Sequence, residues 1–299
     1  MADGIYATPA AFDRAVKKAA RASGADPGEA YRQALRDRFL CRVFYGGNES
    51  FVLKGGSGML ARIPDARATK DLDFASRGKG DASSALEEMK RVAALDLGDW
   101  CSFRLTKADE ALDENGYSRL LKLRFATFVG MEEKDPILID LSLDCATTLP
   151  PERIVPVNRL DIAGVQTSDY LVYPLPDQLA DKLCAIMELT PSGYPSSRMK
   201  DLVDVVTYVT NRDFQMGQLR VAIESECAKR GMPVPVAFAA PESWAARFDA
   251  FAAKCDVVPA FATLGGASGL AASFFDPVLQ ARSPLRATWD STVLRWVDR

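Results

Sequence analysis

The spacing of apolar residues predicts that helices and strands alternate over the first 175 positions. Helical spacing covers 9–22, 27–44 and 82–95, and Pro27 and Gly28 mark the start of the second helix. Short apolar runs typical of strands occur at 51–53, 72–74, 102–106, 120–128, 136–143 and 169–173. This order predicts a mixed α/β fold.

Beyond Pro174-Leu175-Pro176 the pattern changes to helix. Helical spacing is found at 177–188, 198–210, 215–230, 241–254 and 270–280, and a glycine-rich stretch at 265–269 precedes the last of these. Since a domain averages roughly 150 residues, a chain of 299 residues is expected to form two. We therefore predict one domain at 1–175, with two N-terminal helices and a mixed sheet, and a mainly helical domain at 176–299.

Composition narrows the function classes. A net charge of −3 provides no general field for nucleic acid, so any such contact must be local. Six scattered cysteines without a C-x-x-C pair suggest reduced thiols, and the absence of histidine excludes histidine-based triads and zinc sites. No apolar run reaches the roughly 18 residues of a membrane span, and Met1-Ala2-Asp3-Gly4 is unlike a signal peptide. We expect a cytoplasmic protein without membrane contact.

Candidate chemistry lies in two acidic strands. Asp71 and Asp73 flank Leu72, so strand alternation places both carboxylates on one face, where Mg²⁺ would relieve their repulsion. Asp140 lies inside the apolar run 137–141, where a buried charge would be costly without a cation. Taken singly, the pair could be a surface pair and Asp140 an edge-strand residue. Together they predict a metal site.

A phosphate-binding segment precedes the acidic pair. Gly55 and Gly56 allow close backbone approach, and Ser57 at the start of a helix offers a hydroxyl and backbone N–H groups to an anion. Thr69, two residues before Asp71, is expected on the same face, although a strand-surface threonine is the simpler reading. Taken alone, Gly-Gly-Ser more often marks a turn.

The order of these segments resembles the DNA polymerase β-like nucleotidyltransferases, and among them the AbiEii/MenT toxins of type IV toxin–antitoxin systems. The matching segments are Lys54-Gly55-Gly56-Ser57 and Arg67-Ala68-Thr69-Lys70-Asp71-Leu72-Asp73. Two further matches are Asp177-Gln178-Leu179-Ala180-Asp181-Lys182-Leu183 and Arg198-Met199-Lys200-Asp201-Leu202-Val203-Asp204. The resemblance covers about 48–210, and Lys200-Asp201 stands where the family often has Arg-Asp.

The resemblance assigns roles to the second pair of segments. On a helix Lys200 and Asp204 share a face, so they could pair there as a solvated salt bridge. Lys182, beside apolar neighbours, could be a snorkelling lysine. The resemblance instead makes Lys182 a triphosphate contact, Lys200 and Asp201 nucleotide-binding residues, and Asp204 part of the active-site wall.

The implied reaction is transfer of a nucleoside monophosphate from an NTP to an acceptor hydroxyl. Asp71, Asp73 and Asp140 would hold two Mg²⁺ ions, and Asp140 would also assist deprotonation of the hydroxyl. Gly56 and Ser57 would hold the departing phosphates, with Thr69 beside them and Lys182 neutralising their charge. The resemblance also implies that the helical domain closes the cleft, that the acceptor is a tRNA 3′ end, and that an antitoxin protein is the partner.

Two other functions remain open from the sequence. A small-molecule nucleotidyltransferase would use the same phosphate-binding segment, and a catalytically silent nucleotide- or RNA-binding module would keep the fold. The tRNA hypothesis requires a local basic rim. The candidate residues for that rim are Lys54, Arg62, Arg67, Lys70, Lys182, Arg198 and Lys200.

Overall fold

The computed structural model describes residues 6–64, 66–67, 69–78, 81–112, 119–144, 146–190, 192–255, 257–280 and 285–298. The chain divides into two compact units. The sheet unit comprises Met1–Pro64, Thr69–Cys145 and Pro151–Val172, and the helical unit comprises Asp65–Ala68, Ala146–Pro150 and Tyr173–Arg299.

In the sheet unit, the described residues form a seven-stranded mixed sheet in the order β3-β4-β5-β2-β1-β7-β6. Strand β2 pairs parallel with β5, β1 pairs parallel with β7, and the other neighbours are antiparallel. The strands are β1 Phe51–Lys54, β2 Asp71–Ser76, β3 Cys101–Leu112, β4 Arg119–Val129, β5 Glu132–Ser142, β6 Glu152–Ile154 and β7 Tyr170–Val172. The helices are α1 Pro9–Ala22, α2 Pro27–Val43, α3 Gly55–Arg62 and α4 Ala82–Ala93.

The first two helices begin where their sequences supply caps. Thr8 accepts a hydrogen bond from the Ala11 N–H, and Asp26 accepts one from the Glu29 N–H. A proline follows each cap at the first helical position, where its missing N–H has no intrahelical partner to lose. Both predicted starts are therefore confirmed.

One face of the sheet forms the core of this unit. The Phe39 ring on α2 lies 5.2 Å from the rings of Phe103 and Phe125, and Phe74 contacts Phe51 at 6.3 Å. Side chains alternate along a strand, so the neighbours of Phe74 and Phe125 project from the opposite face. That opposite face carries the acidic residues singled out above.

The helical unit contains helices α5 Leu175–Met187, α6 Met199–Val209, α7 Met216–Lys229, α8 Phe248–Ala252 and α9 Leu264–Leu279. It also contains a small sheet in the order β10-β9-β8, formed by β8 Phe214–Gln215, β9 Thr288–Asp290 and β10 Arg295–Val297. Phe274 on α9 packs against Trp289 and Trp296, with ring centroids 4.9 and 5.4 Å away. This small sheet is absent from the sequence prediction because its strands are only two or three residues long.

The structure differs from the sequence prediction at three places. The pattern at 241–254 gives only a 3₁₀ turn at Glu242–Trp244 and the short α8, since the buried Trp244 indole donates to the Ser196 carbonyl at 2.7 Å. The glycine-rich stretch lies inside α9, where a Cβ on Gly266 would come within 2.4 Å of the Ala260 carbonyl oxygen. Residues 152–154 form β6, a strand that the sequence analysis does not predict, because they pair with β7.

Among the described residues, no helix combines the length and apolar character needed to cross a membrane. No disulfide bond joins the described cysteines, and Cys145 lies outside the described residues. Burial raises the pKa of the Cys41 thiol to about 11, so it is protonated at neutral pH. This agrees with the expectation of reduced thiols for the described cysteines.

Candidate active site

A row of charged side chains crosses the face of the sheet opposite the core. Lys54 on β1 is the register partner of Asp73 on β2, and Asp73 is the partner of Asp140 on β5. Register partners on adjacent strands project from the same face and lie one strand spacing apart, about 4.8 Å. The sheet therefore brings Asp73 and Asp140, which are 67 positions apart in sequence, side by side.

Asp71 projects from the same face, two residues before Asp73 on β2. Its register partner on β5 is Leu138, and both residues alternate with buried core residues. All three aspartates are partly buried. Among the described residues, no three carboxylate or thiol side chains already surround a single metal position. Three hard carboxylates on one face suit Mg²⁺ in type, and side-chain rotation would be needed to bring their oxygens onto an ion.

Gly55 makes room for Asp73. A Cβ atom on Gly55 would lie 2.1 Å from Asp73 Oδ2 and 2.6 Å from its Cγ. Gly55 also has φ +59°, in the left-handed region that disfavours residues with a side chain. Only glycine fits this position, because the backbone turning from β1 into α3 runs against the carboxylate.

The next two residues form the first turn of α3. The helix begins at Gly55, so Ser57 is its third residue, and its N-terminus has no side-chain cap. The first N–H groups of a helix have no intrahelical acceptors and face outward with partial positive charge. Ser57 is buried, and its hydroxyl donates to the Asp71 carbonyl at 3.1 Å. This hydrogen bond ties the turn to the acidic strand.

Thr69 lies in the segment before β2 and not on the strand that the sequence analysis expected. Its hydroxyl donates to the Asp71 carbonyl at 3.3 Å, and a Cβ on Gly56 would lie 3.1 Å from the Thr69 Cβ. Thr69 therefore packs against the first turn of α3, Gly55 to Ser57, which we call the glycine turn. The absence of a side chain at Gly56 allows this contact.

A second cluster lies within the helical unit. Lys182 on α5 donates to Asp201 Oδ1 at 3.1 Å and to Asp204 Oδ2 at 2.6 Å, both on α6. Arg67 forms a fork with Asp204, with distances of 2.6 and 2.8 Å, and Arg198 binds Asp201 at 2.6 Å. We call these five residues the ion cluster. It contains three cations and two carboxylates.

Because the ion cluster is largely buried, the charges of its members shift the pKa values of Lys182 and Asp201. Lys182 is only 4% exposed, and Asp204 is fully buried. Burial alone would lower the pKa of Lys182, but the carboxylates of Asp204 and Asp201 outweigh it and raise that pKa. Burial would likewise raise the pKa of Asp201, whereas Lys182 and Arg198 hold it below the usual value. Lys182 and Asp201 are therefore both charged at neutral pH.

The structure decides between alternatives that the sequence left open for this region. Asp204 pairs with Lys182 and Arg67 and not with the exposed Lys200. Lys182 is also not a snorkelling lysine, because its ammonium group is enclosed with two carboxylates.

The predicted basic rim also needs correction. Arg62 is 5% exposed and pairs with Glu152, and the side chain of Arg67 is only 17% exposed. Together with Lys182, these residues are too enclosed to form an exposed rim, whereas Lys70 and Lys200 are exposed.

Comparison with known proteins identifies the family. The AbiEii family, described as nucleotidyl transferase toxins of type IV toxin–antitoxin systems, matches residues 38–263. The chain belongs to this family. It is therefore a nucleotidyltransferase, as the sequence motifs predicted. A search of curated protein sequences gives no match.

Two solved structures are similar to this chain. MenT4, a nucleotidyltransferase toxin from Mycobacterium tuberculosis H37Rv, has a TM-score of 0.51 and 14% identity, over 75% of this chain and 74% of that chain. JHP933 from Helicobacter pylori has a TM-score of 0.45 and 13% identity, over 87% and 94% of the two chains. The match to MenT4 supports the predicted mixed α/β nucleotidyltransferase fold.

Two contacts of this AbiEii chain were missed by sequence reasoning. Arg67 was assigned to the rim, although it forms a fork with the buried Asp204, and Gly55 was expected to allow close approach of the backbone to a phosphate, not to Asp73. The spacing of opposite charges could not reveal the first contact, because Arg67 and Asp204 are 137 positions apart. The signal for the contact between Gly55 and Asp73 was a glycine directly before the Gly-Ser pair in the first turn of the helix.

Proposed function

We propose that this AbiEii toxin transfers a nucleoside monophosphate from an NTP to the 3′ hydroxyl of a tRNA. The proposal rests on the row of Lys54, Asp73 and Asp140 beside the glycine turn, with Asp71 on the same face. Nucleotidyl transfer needs acidic groups at the reacting phosphate and N–H donors for the phosphates that depart. One face of the sheet unit carries both.

In this proposal Asp71, Asp73 and Asp140 would hold two Mg²⁺ ions. Bound metal would lower the pKa of the attacking hydroxyl and neutralise the leaving pyrophosphate. Asp140 accepts the hydroxyl proton, because it is the acidic residue farthest from the glycine turn in the strand order. The backbone N–H groups of Gly56 and Ser57 bind the departing phosphates, and Thr69 holds this turn in place.

The ion cluster has a separate role. With one more cation than carboxylate, it supplies positive charge suited to a triphosphate. We propose that Asp201 and Asp204 orient Lys182 and Arg67, and that the exposed Lys200 contacts the nucleotide. On this proposal residues 1–175 act as the nucleotidyltransferase domain and 176–299 as the helical domain. A tRNA acceptor would place the reaction in the cytoplasm, where an antitoxin protein restrains it.

The test incubates the full chain with Mg²⁺, total RNA and each labelled NTP in turn. We expect label from an accepted NTP in RNA of tRNA size, and none with the isosteric variant Asp73→Asn. RNA treated with periodate, which destroys the terminal 2′,3′-diol, is the matched control and should remain unlabelled. Label confined to small molecules, or equal label in periodate-treated RNA, would contradict a 3′ hydroxyl acceptor.

A further inference from the structure

The face of the sheet that carries Asp71, Asp73 and Asp140, here called the acidic row, continues onto strands β4 and β3, where it carries exposed basic side chains. Lys122 on β4 is the register partner of Asp140, and Arg124 is the partner of Leu138, which itself lies beside Asp71. Lys107 on β3 is in turn the partner of Arg124. We call Lys107, Lys122 and Arg124 the basic strip. It projects from the same face as the aspartates.

The basic strip is accessible. All three side chains are exposed, and in the described part of the chain neither Lys122 nor Arg124 forms an ion pair. Lys107 is partly neutralised by Asp109 at 2.5 Å. Lys122 has an aspartate as register partner on each side, Asp140 on β5 and Asp109 on β3, whereas Arg124 lies between Leu138 and Lys107. Because neither side chain is held in an ion pair with a described residue, two exposed cations are available to an anion beside the aspartates, in a chain whose net charge is −3.

Strand order determines which substrate this strip faces. The glycine turn follows β1, the aspartates lie on β2 and β5, and the strip lies on β4 and β3. In phosphoryl transfer the attacking and leaving oxygens lie roughly in line on opposite sides of the phosphorus. If the leaving phosphates occupy the turn beside β1, the attacking hydroxyl approaches from the side of β5 and β4.

We propose that Lys122 and Arg124, assisted by Lys107, bind the phosphodiester backbone of the RNA acceptor strand next to its reacting 3′ end. The inference rests on the proposed function and adds the acceptor surface. Lys122 and Arg124 are two residues apart on β4, so their Cα atoms are about 7 Å apart and both side chains project from the same face of the sheet. A polyanion fits this surface, whereas a single small acceptor would need only one of these cations.

The test measures RNA binding by the full-length double variant Lys122→Gln/Arg124→Gln. Fluorescence anisotropy with labelled unfractionated tRNA, repeated over a range of salt concentrations, gives Kd and its salt dependence. Each lost phosphate contact on a single strand lowers the slope of log K against log salt by about 0.7, so we expect a decrease of about 1.4. At low salt the Kd should rise about tenfold.

The matched control is Lys18→Gln/Arg21→Gln. It removes the same two charges from exposed positions at α1, which packs on α2 at the core side of the sheet. The control should bind tRNA like the unmodified chain. Equal loss in both variants, an unchanged slope in the strip variant, or loss of antitoxin binding with unchanged RNA binding would overturn the proposal.

Failure of this inference can be separated from failure of the proposed function. If the unmodified chain labels RNA from an NTP and the strip variant keeps its affinity and slope, only the acceptor surface is wrong. If the strip variant loses RNA affinity while the unmodified chain labels no RNA, the surface stands and the proposed transfer reaction is wrong.

Discussion

Replacing Lys182 by methionine tests whether the ion cluster is a buried unit held together by its ion pairs. Methionine keeps much of the length of the side chain and removes its charge. Asp201 and Asp204 would each keep one arginine partner, Arg198 and Arg67, but lose the ammonium group that joins them. Two carboxylates would then lie buried with fewer donors.

The structure gives the expected magnitude. Removing one partner of a buried ion pair destabilises a protein by about 3–5 kcal/mol. Because both aspartates keep an arginine, and Arg198 is 30% exposed, we expect the lower end of that range, about 3 kcal/mol. A typical domain has only about 5–15 kcal/mol of stability, so this loss is readily measured.

Denaturant unfolding followed by tryptophan fluorescence is a suitable assay. Trp244, Trp289 and Trp296 lie in the helical unit, so the signal reports mainly on the unit that contains the cluster. Lys200→Met is the matched control on the neighbouring helix α6, and as an exposed substitution it should change stability by no more than about 0.5 kcal/mol. A Lys182→Met effect as small as that of the control would refute the buried-cluster reasoning.

Acidification adds a second readout. The pKa of Asp201 is lowered in the folded protein. Its ion pairs therefore stabilise the fold fully at pH values above its ordinary pKa of 3.8, and this stabilisation is lost as pH falls through the lowered pKa. The stability difference between the unmodified chain and Lys182→Met should therefore shrink as pH falls from about 5 to about 2. A difference that stays constant over this window would exclude ionised Asp201 as its source.

Three further results are expected. Asp73→Asn should leave the melting temperature unchanged but reduce nucleotidyl transfer by more than roughly 10–100-fold, the loss typical of removing a residue that only supports a metal ligand. Near-normal turnover would contradict the role of Asp73 as a metal ligand. Gly55→Ala should lose about 1–2 kcal/mol of stability to backbone strain and also lose activity, because its Cβ would collide with Asp73. Gly46→Ala has a similar positive φ with nothing within 4 Å, so it should show the strain without the loss of activity. Lys182→Ala should weaken NTP use about tenfold, in line with a charge-assisted contact of about 1.5–3 kcal/mol, and unchanged NTP kinetics would leave the lysine with a structural role alone.

Local patterns in the sequence determined the elements around the site. The glycine turn, α3 and the strand carrying Asp71 and Asp73 were predictable, since strand alternation and helix-start signals act over a few residues. The family resemblance added the order of the motifs, and the family match confirms it. Short elements such as β8 to β10 could not be predicted, because each has only two or three residues and β8 pairs with a strand far along the chain.

Only the tertiary structure decided which charges meet. Asp140 lies beside Asp73 and Lys122 because β5 pairs with both β2 and β4, a register that no local pattern specifies. Lys182, which its apolar neighbours in sequence alone would make a snorkelling lysine, is enclosed by two aspartates because α5 packs against α6. Charge type and spacing are properties of the chain, but burial and pairing depend on which surfaces the fold brings together, and these set the strength of each electrostatic contact.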